Sequence, residues 1–118
     1  MLPLFTSMYI VFPLLFKLLP QKGYRAMAFW PVIFFKQRSL VYNSQILNHE
    51  RIHLRQQLEC LVLPFYLIYF GEYLFYRFKH KSHDQAYHAI SFEKEAYAHE
   101  DDPNYLKQRK AYNNFRRI

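Results

Sequence analysis

Two histidines and a glutamate near the middle of the chain have the spacing of a metal site. His49, Glu50 and His53 form an H-E-x-x-H pattern within the stretch NSQILNHERIHLRQQLE. Residues four apart stand on one face of an α-helix, so both imidazoles can bind one metal ion. Zinc hydrolases use this spacing with the glutamate as general base toward a metal-bound water. We therefore predict one Zn²⁺ at His49 and His53, with Glu50 as the catalytic residue.

Two glutamines continue this motif toward the C-terminus. On an ideal helix Gln56 lies about 20° to one side of His49 and Gln57 about 80° to the other, so both extend the metal-binding face by one turn. We expect them to orient the histidines or to bind substrate backbone, with simple solvent exposure as the alternative. A metzincin continuation is excluded, because it needs Gly and His where the chain has Gln56 and Glu59. The third ligand must come from elsewhere in the chain.

The motif requires a helix, and the sequence predicts one over residues 44–60. Asn43 or Ser44 can cap it, since a short polar side chain accepts a hydrogen bond from an unpaired backbone N–H. Upstream, residues 28–35 are rich in aromatic and β-branched side chains and are predicted to form a strand. A polar turn and a second short strand over residues 40–42 complete the expected β-hairpin.

A second helical segment can supply the missing ligand. The stretch DQAYHAISFEKEAYAHE is predicted to be helical, with Asp84 as its cap. A carboxylate from this helix, packed across the first one, would complete a His₂Glu site, and both Glu93 and Glu95 are available. Residues 104–117 are predicted to form a basic amphipathic C-terminal helix.

Two apolar segments indicate contact with a membrane. Residues 1–20 are predicted to be an interfacial or membrane-inserted segment, with a buried core element as the alternative. Residues 61–76 are too short to span a bilayer alone, and their aromatic side chains fit either a membrane interface or a small core. Glu72 lies inside this run, so its carboxylate is expected to be paired, to face a polar interior or to be protonated. Basic residues flank both segments, which predicts membrane association with the basic segments on the cytoplasmic side.

Composition narrows the class of protein further. The chain has 118 residues, enough for a single domain, and 52% of them are hydrophobic, which argues against disorder. Its single cysteine, Cys60, excludes an intrachain disulfide and a cysteine-rich zinc site. The net charge is +7, but no nucleic-acid-binding motif accompanies it, so we predict no nucleic-acid partner. The oligomeric state is left open.

The two motifs together resemble a known family. HERIH followed by FEKEAY resembles the gluzincin branch of zinc metallopeptidases, especially small or membrane-bound kinds such as the CAAX prenyl endopeptidases and the heat-shock membrane peptidases. The stretch from His49 to Gln57 also resembles compact bacterial gluzincin-like domains. The likeness covers about residues 28–100. It implies an α+β, mainly α, minimal zincin-like domain with a core over residues 24–100, in which a hairpin precedes the H-E-x-x-H helix and a second helix carries the third ligand.

The resemblance also assigns the third ligand. Aligned with the family pattern F-E-x-x-A-D, Glu93 takes the ligand position and Ala96 the small-residue position, with Glu95 as the fallback ligand. The chain departs from the pattern at Tyr97, where the family has an aspartate that holds a metal-binding histidine from the second shell. Tyr97, Glu95 or Glu100 would have to take that role.

Two functions are expected from these residues. The first is a zinc-dependent metalloendopeptidase that hydrolyses a peptide or protein substrate, with Tyr97, Tyr87 or His88 as the donor to the developing oxyanion. An edge strand near residues 28–35 would then pair with the extended substrate. The alternative is a non-catalytic, membrane-associated protein that uses the same His₂Glu site structurally or to bind a partner.

Overall fold

The computed structural model describes residues 8–19, 23–80 and 82–116, and its architecture is α+β and mainly helical, as predicted. The helices and strands follow in this order: β1 (Met8–Val11), α1 (Pro13–Leu18), β2 (Ala26–Phe29), β3 (Val32–Phe35), a 3₁₀-helix (Arg38–Tyr42), α2 (Ser44–Cys60), α3 (Val62–His80), α4 (His83–Ala89), α5 (Ser91–His99), α6 (Tyr105–Gln108) and a second 3₁₀-helix (Asn113–Phe115).

The three strands form one small sheet in the order β1-β3-β2. Strands β2 and β3 are antiparallel, with Ala26 opposite Phe35 and Phe29 opposite Val32. Strand β1 lies parallel to β3 on its other side. Strand β2 is therefore an edge strand, and it packs against α2 together with β3.

The predicted hairpin exists, but its predicted position is wrong. Residues 28–35 were expected to form one strand, whereas the chain turns within this run at Trp30-Pro31, whose peptide bond is cis. Pro31 has no N–H to give to a ladder, so pairing stops on either side of it. The expected return strand over residues 40–42 belongs instead to the first 3₁₀-helix, which buries Leu40 against the sheet.

The N-terminal apolar segment is described only in part. Residues 1–7 and 20 of the predicted segment lie outside the described residues. Its described part contributes β1 to the sheet, and α1 buries Phe16. Among the described residues no single helix is long and apolar enough to cross a membrane, and α2 and α3 meet that test only together, as a pair bent by 110°.

Helix α2 begins where the sequence predicted it. The side chain of Asn43 accepts a hydrogen bond from Ile46 N at 3.0 Å, which satisfies one unpaired donor of the first turn. The helix packs against the sheet through Ile46 and Leu54, and Ile52 on another face packs with residues of α5 and α6. It ends at Cys60, and the next residue, Leu61, has a φ of 66° at the sharp bend into α3.

A partly buried carboxylate links helices α3 and α5. Glu72 accepts hydrogen bonds from Ser91 N at 2.6 Å and from Ser91 Oγ at 3.0 Å, so it is paired as expected and caps the start of α5. The predicted continuous helix over DQAYHAISFEKEAYAHE is in fact two helices that break at Ile90. The residue that caps α4 is Ser82 rather than Asp84.

The predicted C-terminal helix over residues 104–117 is also wrong. Only Tyr105–Gln108 is α-helical, and a second short 3₁₀-helix follows at Asn113–Phe115, while residue 117 lies outside the described part of the chain. The cause is Arg109, which is buried and reaches carboxylates on both α2 and α5. These two ion pairs draw the chain across the helices, where a continuous helix could not follow.

Candidate metal centre

Helix α2 buries an unusual number of polar side chains. The buried polar residues on this helix are Asn48, His49, Glu50, His53, Gln56 and Gln57. Burying a polar group without a hydrogen-bond partner costs free energy, so side chains like these are normally paired. Their partners come from α5, from α3 and from the edge strand β2, and these contacts define the site.

Three ligand atoms converge at the centre of this polar face. His49 Nε2 lies 3.1 Å and His53 Nε2 lies 3.0 Å from the same oxygen, Glu93 Oε1. One ligand atom from each of the three residues lies within 4.8 Å of the others. A tetrahedral zinc with ordinary bond lengths holds its ligand atoms about 3.3 Å apart, so the donor set fits a His₂Glu metal site. The structure thus brings the two predicted histidines and Glu93 together.

The outer nitrogen of each histidine has an oxygen partner that fixes its tautomer. His49 Nδ1 lies 2.7 Å from Glu100 Oε1, and His53 Nδ1 lies 2.8 Å from Gln56 Oε1. A carboxylate or amide oxygen at Nδ1 favours a proton there, which leaves the Nε2 lone pair for a metal. Both imidazoles are therefore oriented for binding through Nε2.

The carboxylate expected at position 97 is supplied by Glu100 instead. Tyr97 packs its ring against His49, with centroids 4.5 Å apart, and Glu100 makes the hydrogen bond to the imidazole. The turn that carries Glu100 is held by Asn48 Nδ2, which donates to three backbone oxygens, those of residues 99, 100 and 102. Asn48 was not singled out from the sequence, although its place one residue before His49 puts it on a flank of the same helix.

The second oxygen of Glu93 is also occupied. Tyr69 on α3 donates its hydroxyl to Glu93 Oε2 at 2.6 Å. Burial raises the pKa of Glu93, but His53 and His49 outweigh it, so the pKa lies well below its usual range. Burial and the nearby Glu93 raise the pKa of Tyr69, which keeps it a donor. Tyr69 was missed because one tyrosine in an aromatic-rich helix carries no distinguishing signal.

Gln56 orients His53, as the sequence suggested, and Glu95 holds the Gln56 amide in place. Gln56 Nε2 donates to Glu95 Oε1 at 2.9 Å and to Phe92 O at 3.1 Å, which turns the amide oxygen toward His53. Glu95 itself binds Arg109 Nε at 2.5 Å and the Tyr105 hydroxyl. Glu95, the fallback ligand, therefore lies outside the converging group, and its carboxylate binds this buried network instead.

Gln57 binds the sheet rather than the histidines. Its Oε1 accepts from Trp30 N at 2.6 Å and its Nε2 donates to Ala28 O at 2.9 Å. Tyr66 on α3 donates to the same Ala28 oxygen at 2.7 Å. The glutamine thus fixes the edge strand β2 beside the metal-binding face of α2.

These two glutamines allow a matched comparison. Gln56→Leu is expected to weaken zinc affinity roughly 10- to 100-fold, because it removes the acceptor that orients His53. Gln57→Leu changes an equally buried neighbour and should lower stability while leaving zinc affinity within a few fold of the wild type. Competition with a chromophoric chelator measures both affinities. Equal effects of the two substitutions would contradict the role given to Gln56.

Glu50 is buried beside the ligands and has a free oxygen. Its Oε1 has no hydrogen-bond partner among the described residues. Burial raises the pKa of Glu50, and His53 and His49 oppose that shift only in part. A raised pKa suits a group that must take up and release a proton near neutral pH.

Open space lies on both sides of the ligands. A cavity of about 320 Å³ borders Glu50, His53 and Glu93, and it is lined mainly by apolar and aromatic side chains. A second cavity of about 140 Å³ borders Glu50 and His49. The residues that line both cavities are Tyr24, Ala26, Glu50 and Tyr87. The accessible space therefore follows the edge strand β2 past the metal site.

Two tyrosines line both parts of this space. Tyr87, one of the expected oxyanion donors, lines both cavities, and burial raises its pKa, so its hydroxyl keeps its proton. Tyr24 lines both as well and was not foreseen. Tyr97 borders only the smaller cavity, and His88 packs against Tyr97 and borders neither cavity.

Comparison of the chain with models of known protein families, with characterised proteins and with solved structures gave no match.

Proposed function

We propose that the protein is a zinc-dependent peptidase. The proposal is supported most by the convergence of His49 Nε2, His53 Nε2 and Glu93 Oε1 beside a buried glutamate with a free oxygen, at the side of a cavity. This is the donor set of catalytic zinc sites, which have three protein ligands and keep one position for water. A purely structural zinc site usually has four protein ligands.

The residues have separate tasks in this mechanism. Zn²⁺ held by His49, His53 and Glu93 would acidify a water molecule and polarise the scissile carbonyl. Glu50 takes the proton from the attacking water and passes it to the leaving amine. Tyr87, which lines the same two cavities as Glu50, would donate its hydroxyl to the developing oxyanion.

The edge strand offers a way to hold an extended substrate. Arg25 O accepts from Lys36 N at 2.9 Å, so the next residue, Ala26, points its N–H and C=O away from β3. Ala26 borders both cavities, whereas Ala28 O is already bound by Gln57 and Tyr66. A peptide pairing at Ala26 would pass directly beside the metal site.

A non-catalytic protein that uses the same His₂Glu site structurally is the second candidate, and one observation favours it. Both oxygens of Glu93 and both ring nitrogens of His53 have hydrogen-bond partners in the described structure. The buried His53–Glu93 pair therefore leaves none of these atoms without a partner. The test is peptide hydrolysis by zinc-loaded protein, measured beside its Glu50→Gln variant. Zinc bound at one ion per chain without any hydrolysis would favour this second candidate.

Zinc binding is expected to release a proton. Burial lowers the pKa of His53, but Glu93 outweighs it and raises the pKa to about 9. His53 is then protonated at pH 7.5 in the metal-free protein, while zinc binds only the neutral imidazole. About one proton should leave, and zinc affinity should rise with pH up to about 9, by at most about tenfold per unit.

Calorimetry in two buffers of different ionisation enthalpy measures this release. The apparent binding enthalpy should differ between the buffers by about one buffer ionisation enthalpy per zinc bound. Identical apparent enthalpies in both buffers would mean that His53 is already neutral and would contradict the prediction.

A further inference from the structure

Helix α3 has an apolar face that no part of the chain described in the structure covers. Its inner side packs Phe65 into the core and turns Tyr66 and Tyr69 toward the metal site. Its outer side carries large apolar residues that are between 52% and 91% exposed, and we call them the apolar stripe: Leu63, Leu67, Phe70, Leu74 and Phe78. Their spacing of three and four residues places them on one side of the helix. A continuous exposed patch of this kind marks an interaction surface.

A neighbouring element extends this surface. The ring of Phe29 lies 5.7 Å from that of Tyr66, measured between centroids, so the β2–β3 turn sits beside the N-terminal half of α3. Phe29 and Trp30 in this turn are also exposed. Leu61 and Leu63, at the start of α3, are exposed as well. The apolar surface therefore spans a helix and an adjacent turn.

Charge distinguishes the possible occupants of this surface. Glu72 is the only acidic residue between residues 61 and 80, and it is turned inward to Ser91. Two cations, Arg77 and Lys79, stand near the C-terminal end of the stripe, and Lys79 Nζ lies 5.9 Å from the ring centroid of Phe75. The chain as a whole carries a net charge of +7. An apolar helix face with cations at its edge suits an anionic lipid surface.

We propose that the apolar stripe docks on a lipid bilayer that contains anionic headgroups. Helix α3 has 19 residues and is about 28 Å long, and it would lie in the plane of the interface. The stripe consists of hydrocarbon and aromatic side chains without hydrogen-bonding groups, which the acyl region accepts without cost. Arg77 and Lys79 would contact the headgroups. This inference depends on the outer face of α3 and not on the metal site.

Sedimentation with vesicles tests the proposal. The purified full chain should sediment with vesicles of phosphatidylcholine and phosphatidylglycerol at a 3:1 ratio, and less with phosphatidylcholine alone. The combined Leu67→Glu, Phe70→Glu and Leu74→Glu variant should lose at least about a hundredfold in partitioning. Tyr42→Glu is the matched control, because Tyr42 is equally exposed but lies on the first 3₁₀-helix, and it should bind as the wild type does.

Trp30 provides a second measurement that needs no variant. It is the only tryptophan in the chain, so its fluorescence should shift to shorter wavelength on vesicles and be quenched by brominated lipid. The proposal is overturned if the wild type does not bind the anionic vesicles, or if the triple variant binds them equally well. It is also overturned if the stripe proves to hold two copies together, so that the wild type is a dimer without vesicle affinity and the triple variant a monomer. Zinc content of the triple variant should equal that of the wild type, which separates this test from that of the peptidase.

Discussion

Replacing His53 by alanine is expected to remove high-affinity zinc binding and to destabilise the metal-free protein. The imidazole is one of three converging ligands, so its loss should exceed the roughly 10- to 100-fold cost of losing an outer partner. In the metal-free protein it also leaves Glu93 buried without its main cation, which should lower the free energy of unfolding by about 3–5 kcal/mol. Metal analysis and denaturant unfolding with and without zinc measure the two effects.

His88→Ala serves as the control for this variant. His88 also lies on a helix near the site, but its side chain is half-exposed and its Nδ1 contacts the backbone oxygen of Asp84. The wild type and His88→Ala should gain about 2.7 kcal/mol of stability at a free zinc concentration 100 times the dissociation constant, and His53→Ala should gain almost none. Equal zinc stabilisation of all three proteins would show that the metal lies elsewhere.

Replacing Glu50 by glutamine is expected to abolish peptide hydrolysis while zinc stays bound. The substitution keeps the shape of the side chain but removes the group that accepts the proton. General-base catalysis contributes about 10²- to 10⁴-fold, so kcat should fall by that factor. Because Glu50 is not among the three converging ligands, the zinc content should remain at one ion per chain.

The control is Asp84→Asn, a carboxylate whose side chain is largely exposed. It should keep both zinc and activity. Glu50→Gln protein that hydrolyses peptides at the wild-type rate would exclude Glu50 as the base. Loss of zinc from the same variant would instead make Glu50 a ligand and require a different general base.

The central helix and its candidate ligands could be predicted, because the geometry of the motif is local. The four-residue spacing of His49 and His53 fixes their common face on any helix, and Asn43 marks its start by ordinary capping chemistry. Glu93 was reached through the second motif, FEKEAY, and the structure places it between the two histidines. These assignments needed only short-range rules and one family likeness.

The remaining residues of the site depend on contacts between distant segments. Glu100 reaches His49 from 51 residues away, and Tyr69 reaches Glu93 across the interface between α3 and α5. The C-terminal segment does not form the predicted continuous helix, because Arg109 binds Glu59 and Glu95 on two other helices. No periodicity in the sequence encodes such pairs, since each residue alone looks like an ordinary surface charge or an ordinary aromatic.

Helix α3 connects the exposed apolar stripe to the cluster of His49, His53 and Glu93. Its outer side carries the apolar stripe, while its inner side holds Glu93 through Tyr69 and the start of α5 through Glu72. A shift of α3 that lengthens the hydrogen bond from Tyr69 would change the free energy of the Glu93 carboxylate. Coupling between two binding sites is reciprocal. If binding to a lipid surface changes the zinc affinity by some factor, then zinc must change the affinity for the lipid surface by the same factor. Helix α3 would then couple zinc binding to lipid binding. Titrating zinc at a fixed lipid concentration would measure the coupling free energy.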